Sequence, residues 1–250
     1  MEGTPSLTKH LTSLSTPIPY ASAIKHSFLI AAGSGTLDHN LLALWLSQDR
    51  IYAAHAYPKF IGSLISNIPF NSKDPLFSNQ ELFNQRIFKI LLFSLQNVDR
   101  EVGFFRETAQ KWGLNLEGWP ERKATRNYTA EMSRISNNGS MVDGLVFIWA
   151  MEKVYLDAWT AVRDLATSSS AFNVCSDSTI TPTNAALFSL SENWSCPEFV
   201  KFVEDLADVV DSLGIRPGLA DWNRSEEIWA RVVELEADFW PNEEETRRDI

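Results

Sequence analysis

Large apolar side chains recur at steps of three and four along stretches as long as residues 39–66 and 79–113, and Gly and Pro gather between such stretches. That spacing is the mark of amphipathic helices, and no alternation of period two persists long enough to make a strand. The chain therefore reads as all-α, with about seven or eight helices. A short helix is expected from about Ser22 to Ala32, broken by "GSGTLD", which reads as a turn. A long helix follows, capped by Asp38 or Thr36 and kinked or split at Pro58. One or two helices run to Gly113, another ends at Asn137, Asn138 and Gly139, and the next covers 141 to about 166. Residues 167–197 are rich in Ser, Thr and Asn and too long for an ordinary helix connection, so a mobile insertion or a covering segment is expected there. Two further helices lie in 197–214 and 224–240.

The stretch "GLVFIWAMEKVYLDAW" is the most informative. As a helix it puts Leu145, Ile148, Trp149, Tyr155, Leu156 and Trp159 on one stripe with Glu152 among them. Asp49 falls likewise among Leu42, Trp45, Tyr52 and Ala56, and Glu236 among Trp229, Val232, Val233, Phe239 and Trp240. A carboxylate on a buried face is costly unless paired or hydrogen-bonded. Each acid taken alone reads as a core residue satisfied by a neighbour, with Asp49 and Tyr52, or Glu152 and Tyr155, close enough along their helices to pair. Three such acids from distant helices point to an internal polar pocket, because helical bundles build ligand sites from inward-facing side chains. Buried acids beside tyrosines are also where proton-transfer groups are tuned.

Bulk properties narrow the partners. With 250 residues, 44% of them hydrophobic, the chain suits one domain. Nine Trp and fifteen Phe suit long helices around an aromatic-lined cavity. A formal charge of -10 supplies no field for nucleic acid or an anionic membrane. No run approaches the roughly 18 apolar residues of a membrane span, and the first residues do not read as a signal peptide. Cys175 and Cys196 make no disulfide framework, so a cytoplasmic location is expected, and the sequons at Asn127, Asn138, Asn193 and Asn223 read as chance matches. None of His10, His26, His39 and His55 has a Glu three residues before it, as a di-iron bundle would require. No phosphate-binding or nucleophile-elbow motif occurs, so neither a metal nor a cofactor is expected.

Several ordered segments resemble one family. "SFLIAAGSGTLDHNLLALWLSQDRIYAAHAYPKF" is similar to the opening of the TenA/THI-4 group, with its Q-D-x-x-Y element at Gln48, Asp49 and Tyr52. "NYTAEM" resembles the segment carrying a pocket tyrosine, here Tyr128, and "ELEADFW" the terminal helix carrying the catalytic acid, here Glu236. "NWSCPEF" resembles the segment before the penultimate helix, and the likeness spans about 24–240. It implies a haem-oxygenase-like helical bundle with an internal pocket. Where the thiaminase branch has a nucleophilic cysteine, this chain has Met151, which cannot attack covalently. Cys175 and Cys196 are not placed to replace it, unless the loop bearing Cys175 folds inward. The chain resembles instead the branch whose E-x-x-Y-x-x-x-W element stands here as Glu152, Tyr155 and Trp159. Trp194 stands where the cysteine branch tends to have a tyrosine.

The resemblance implies hydrolysis of amino- or formylamino-pyrimidine fragments of thiamin, without a cysteine nucleophile. Glu236 and Glu152 would share the acid-base work and Asp49 would accept from the pyrimidine's nitrogens, giving three catalytic acids. Tyr52, Tyr128, Tyr155 and Trp194 would contact the substrate, and a homo-oligomer, dimer or tetramer, is implied. Two other functions fit the same fold. One is a binding protein that has lost its chemistry. The other is a cofactorless oxidase of the pyrroloquinoline-quinone synthase type, which would want His and Arg around an anionic substrate.

Overall fold

The computed structural model of the chain describes residues 5–169, 171 and 180–246. They form helices α1 (Leu7–Ser13), α2 (Tyr20–Ile24), α3 (Ser27–Ser34), α4 (His39–Ile51), α5 (Tyr57–Ser66), α6 (Asn79–Trp112), α7 (Lys123–Asn138), α8 (Met141–Ser169), α9 (Pro182–Ser195), α10 (Pro197–Asp211) and α11 (Ala220–Phe239). A π-helical segment, Tyr52–Ala56, joins α4 to α5, and a 3-10 turn, Glu243–Thr246, follows α11. The chain is all-α among the described residues.

Helix α8 is the axis of the bundle, packed against α2, α3, α7, α9, α10 and α11. Residues 144–151 are buried without interruption, as expected of a helical segment that is apolar on every face and covered on every side. Around it lies one core whose centre is aromatic: Trp45 packs against Phe28, Trp159, Trp194 and Trp240. Trp240 Nε1 donates to the carbonyl of Ala23 at 2.8 Å, which closes α11 onto α2.

Local signals act as the sequence suggests in several places. Asp38 caps α4 by accepting from the amides of Asn40 and Leu41 at 2.9 and 3.0 Å. Gly113, at φ 71°, ends α6 in the left-handed region. Helix α6 is a single element.

Other expectations are corrected. The helix expected over Ser22–Ala32 is two, α2 and α3, divided where His26 Nδ1 accepts from the amide of Phe28 at 3.2 Å and caps α3. "GSGTLD" is only partly a turn. Gly33 lies inside α3, where a Cβ would come within 2.9 Å of Leu165 Cβ and 3.0 Å of the Val162 carbonyl, so its lack of a side chain lets α3 pack closely on α8. The long helix is split as expected, into α4 and α5 with Pro58 in the first turn of α5, but the junction is a π-helical segment, Tyr52–Ala56. Helix α1 was not anticipated; Leu7 and Leu11 are buried, and Thr8 bonds to Asp211 of α10 through its amide at 2.9 Å and its hydroxyl at 2.8 Å.

The expectation for 167–197 also changes. Thr181 caps α9 by accepting from the amide of Asn184 at 3.2 Å, Pro182 starts the helix, and Ala186, Leu187, Leu190 and Trp194 are buried. Its Ser and Thr residues look loop-like, but Thr181 is the cap, Ser191 and Ser195 bond back to carbonyls of the preceding turn, and Thr183 pairs with His39. Residues 170 and 172–179, which include Cys175, lie outside the described residues. No described helix is long and apolar enough to cross a membrane.

Candidate active site

Four helices bring four carboxylates together: Asp49 from α4, Glu101 from α6, Glu152 from α8 and Glu236 from α11. Each is gripped through one oxygen by an aromatic donor from another helix. Tyr155 Oη donates to Asp49 Oδ2 at 3.0 Å, and Tyr57 Oη to Glu152 Oε1 at 2.5 Å. Tyr128 Oη donates to Glu236 Oε1 at 2.5 Å, and Trp194 Nε1 to Glu101 Oε1 at 2.8 Å. The second oxygen of each carboxylate takes no hydrogen bond among the described residues, and Glu236 Oε2 is buried without a partner. A buried unpaired oxygen is expensive to maintain and calls for an explanation.

The pairings differ from the two local ones considered for the sequence. Tyr155 serves Asp49, not Glu152, while Tyr52 turns its hydroxyl to Met151 Sδ at 3.6 Å. In each case the hydroxyl that reaches the acid comes from a facing helix.

The π segment supplies the fourth partner. A regular helix turns about 100° per residue and would carry Ala56, not Tyr57, onto the face of Asp49. The single extra residue of the π turn advances the register by one. Tyr57 therefore arrives there and is buried, with its amide bonded to the Tyr52 carbonyl and its ring 6.0 Å from that of Tyr52. The same shift leaves His55, near the Asp49 stripe in the sequence, on the exposed side.

The space enclosed is a cavity of about 30 Å³. Its wall includes Asp49, Glu101 and Glu152, with Tyr52, Tyr57, Tyr155 and Trp194 as aromatic panels and Met151 as an apolar one. Glu236 and Tyr128 stand just behind that wall, linked to it by the contact of the Tyr128 and Tyr52 rings, 5.0 Å apart. Thus Tyr52, Tyr155 and Trp194 face the cavity, whereas Tyr128 orients Glu236. Gln48, next to Asp49, is a tie between elements: Oε1 accepts from the Arg122 amide at 2.8 Å and from Thr125 Oγ1 at 2.7 Å, which fixes α7 against α4.

Burial moves all four acids toward their neutral forms. Desolvation is the largest cause for Glu152 and Glu236, each raised to about 8 against the downward pull of the hydrogen bonds from Tyr57 and Tyr128. Glu101 rises to about 7 for the same reason, opposed by its bond from Trp194. Asp49 is well above the usual carboxylate range, pushed first by desolvation and then by the charge of Glu101. Replacing Tyr57 by Phe removes the donor that favours ionised Glu152 while keeping the ring. The Glu152 midpoint is expected to rise, seen as an alkaline shift of whichever limb of the pH–rate profile Glu152 controls; an unchanged profile would contradict that link.

Two members of this site escaped the sequence reading. Glu101 carries the same signal as the other acids, lying on the buried stripe of Leu91, Ser94, Val98, Phe105 and Thr108, but the charged residues around it (Asp99, Arg100, Arg106 and Glu107) hide the stripe. Tyr57 carries no such signal, since a π turn has no simple pattern.

The same architecture occurs in solved structures. A TenA homologue from Pyrococcus furiosus superposes with a TM-score of 0.74 at 20% identity, over 94% of this chain and 98% of that one. A structure described as a putative TenA-like thiaminase from Sulfolobus solfataricus gives 0.59 at 17% identity, over 94% and 92%. Among curated proteins, a Fusarium pseudograminearum protein named "Probable transcription factor" is 26% identical over 95% of this chain, which spans only 52% of that protein. A soybean (Glycine max) protein named "Probable bifunctional TENA-E protein" is 20% identical over 88% of this chain and 86% of its own length. The model of the TENA/THI-4/PQQC family matches residues 19–246, and the chain belongs to that family.

Proposed function

We propose that this chain is a hydrolase that cleaves a carbon–nitrogen bond in amino- or formylamino-pyrimidine fragments of thiamin, using carboxylates in place of a cysteine nucleophile. The observation that carries this reading is the cluster of four carboxylates, three on the cavity wall and Glu236 behind it, each held through one oxygen and without a hydrogen bond at the other among the described residues, with midpoints raised toward neutrality. The names of the soybean relative and of the Sulfolobus structure fit it. Met151, on the cavity wall, offers no thiolate, so water is the nucleophile.

In this mechanism an aminopyrimidine lies between the aromatic panels, and Asp49 accepts from its ring or exocyclic nitrogen. Entry of a cationic substrate favours ionisation of a neighbouring acid. Ionised Glu152 takes a proton from water as the water oxygen bonds to carbon. The carbon–nitrogen bond then breaks: an alkylammonium leaves as ammonia with the protons it already carries, and an amide nitrogen departs on a proton from Glu236, kept neutral by burial. Tyr128 and Tyr57 hold the two acids in place. The cavity of about 30 Å³ holds one or two waters and no heterocycle, so binding requires the wall to move. Met151, unbranched and flexible, is the part best able to yield. The proposal includes a homo-oligomer, supported by the exposed Phe70, Leu76 and Phe77 between α5 and α6.

An oxidase acting on an anionic substrate fits less well, because the cavity wall includes no Lys, Arg or His among the described residues. The deciding experiment supplies a 4-amino-5-(aminomethyl)pyrimidine or its N-formyl derivative in oxygen-18 water. Label entering the hydroxymethyl product, or formate in the second case, supports hydrolysis. Tight binding without product from either compound would leave a binding protein.

A further inference from the structure

Glu101 has no part in the acid-base steps above, yet it projects into the same cavity. Both of its clasps fall on one oxygen: Trp194 Nε1 at 2.8 Å and Asn97 Nδ2 at 3.3 Å bond to Oε1. Oε2 takes no hydrogen bond among the described residues, so the carboxylate is aimed but half unused. Neither clasp carries charge. The nearest cation acting on it, Arg100, is exposed and bonds to Asn97 Oδ1 at 2.6 Å and Glu198 at 3.3 Å. Glu101, Asp49 and Glu152 therefore share one small space with no basic side chain on its wall among the described residues.

Such a space favours an occupant that brings positive charge and N–H donors. Among the described residues no group of three His, Cys, Asp or Glu side chains is arranged to hold a metal ion. The rings of Tyr52, Tyr155 and Trp194 beside the acids add faces that attract an organic cation.

We infer that Glu101 is the specificity-determining residue of this pocket: it is the counter-ion for a primary ammonium on the bound heteroaromatic, and selects the free amine over its neutral N-acyl derivative. The inference rests on the hydrolase reading only for the identity of the ring. An ammonium places two or three donors between Oε2 of Glu101 and the second oxygens of Asp49 or Glu152, none of which takes a hydrogen bond among the described residues. A formyl group cancels the charge and turns a carbonyl oxygen toward acids that have no proton to share once ionised.

Calorimetric titration of the full chain with the aminomethyl-pyrimidine and with its N-formyl derivative tests this. The wild type is expected to bind the amine more tightly, and Glu101→Gln to lose about ten- to hundredfold in affinity for the amine with little change for the formyl compound, as expected when a charged hydrogen bond becomes a neutral one. Gln retains the acceptor for Trp194, and Trp194→Phe, which frees the carboxylate from its clasp, should reduce the same preference by a smaller factor. A merely structural role would weaken both ligands together. An unchanged preference in Glu101→Gln, equal weakening of both ligands, or a wild type that favours the formyl compound or binds neither overturns the inference. Selective binding without turnover upholds it and refutes the hydrolase.

Discussion

Glu236→Gln is expected to lower kcat for the formylamino compound by roughly 10²- to 10⁴-fold, the range for loss of a positioned general acid. The substitution preserves shape and the acceptor for Tyr128 Oη, so the ring contacts of Tyr128 with Tyr52 and Phe239 should persist. What disappears is the transferable proton on an oxygen that has no other partner. At pH 4, where the wild-type carboxyl is neutral in the folded chain and mostly so in the unfolded one, an amide replaces a neutral acid and the thermal midpoint should hardly move. Glu152→Gln should cost a similar factor by removing the base. The double variant should be little worse than either alone, because the two groups act in one step. Full activity in Glu236→Gln would refute the assigned role.

The second large effect concerns stability. Glu152 and Glu236 titrate at about 8 and Glu101 at about 7 in the folded chain, against 4.5 for an ordinary glutamate. Between these limits the folded state holds protons that the unfolded state has released, so the slope of stability with pH is negative. Their contribution is fully present below about pH 4.5 and is lost as pH rises through 7 to 8. Each fully buried group adds at most about 1.4 kcal/mol per pH unit, and the partial accessibility of Glu101 and Glu152 reduces their share. Urea unfolding at pH 5, 6.5 and 8 should show Glu236→Gln gaining on the wild type as the pH rises. A difference between the two that stays constant, or moves the other way, would contradict the placement of this carboxyl in a dry site.

Periodicity made the bundle legible because α4, α6, α8, α10 and α11 each keep a continuous apolar stripe, and tertiary packing only had to accept it. The failures came where another rule competed. The Ser- and Thr-rich face of α9 imitates a loop until its hydroxyls are seen capping and back-bonding. The break after Ile51 is a register shift, which a proline signal alone does not specify, and it decides which tyrosine reaches Glu152. Asp49, Glu152 and Glu236 stood out as acids among aromatics; Glu101 broke the same rule in a helix crowded with other charges. Which hydroxyl serves which acid depends on helix separation, which residue spacing along one helix does not encode.

The clustering of the four acids away from bulk water is tested most directly by following their side-chain carboxyl carbons by NMR as pH is varied, with single Asn or Gln variants giving the assignments. Midpoints between about 7 and 8 for Glu101, Glu152 and Glu236, and a clearly elevated one for Asp49, are the predicted result. Four ordinary midpoints near 4 would contradict it, since acids that titrate as in water neither share a dry space nor keep a proton for the leaving nitrogen.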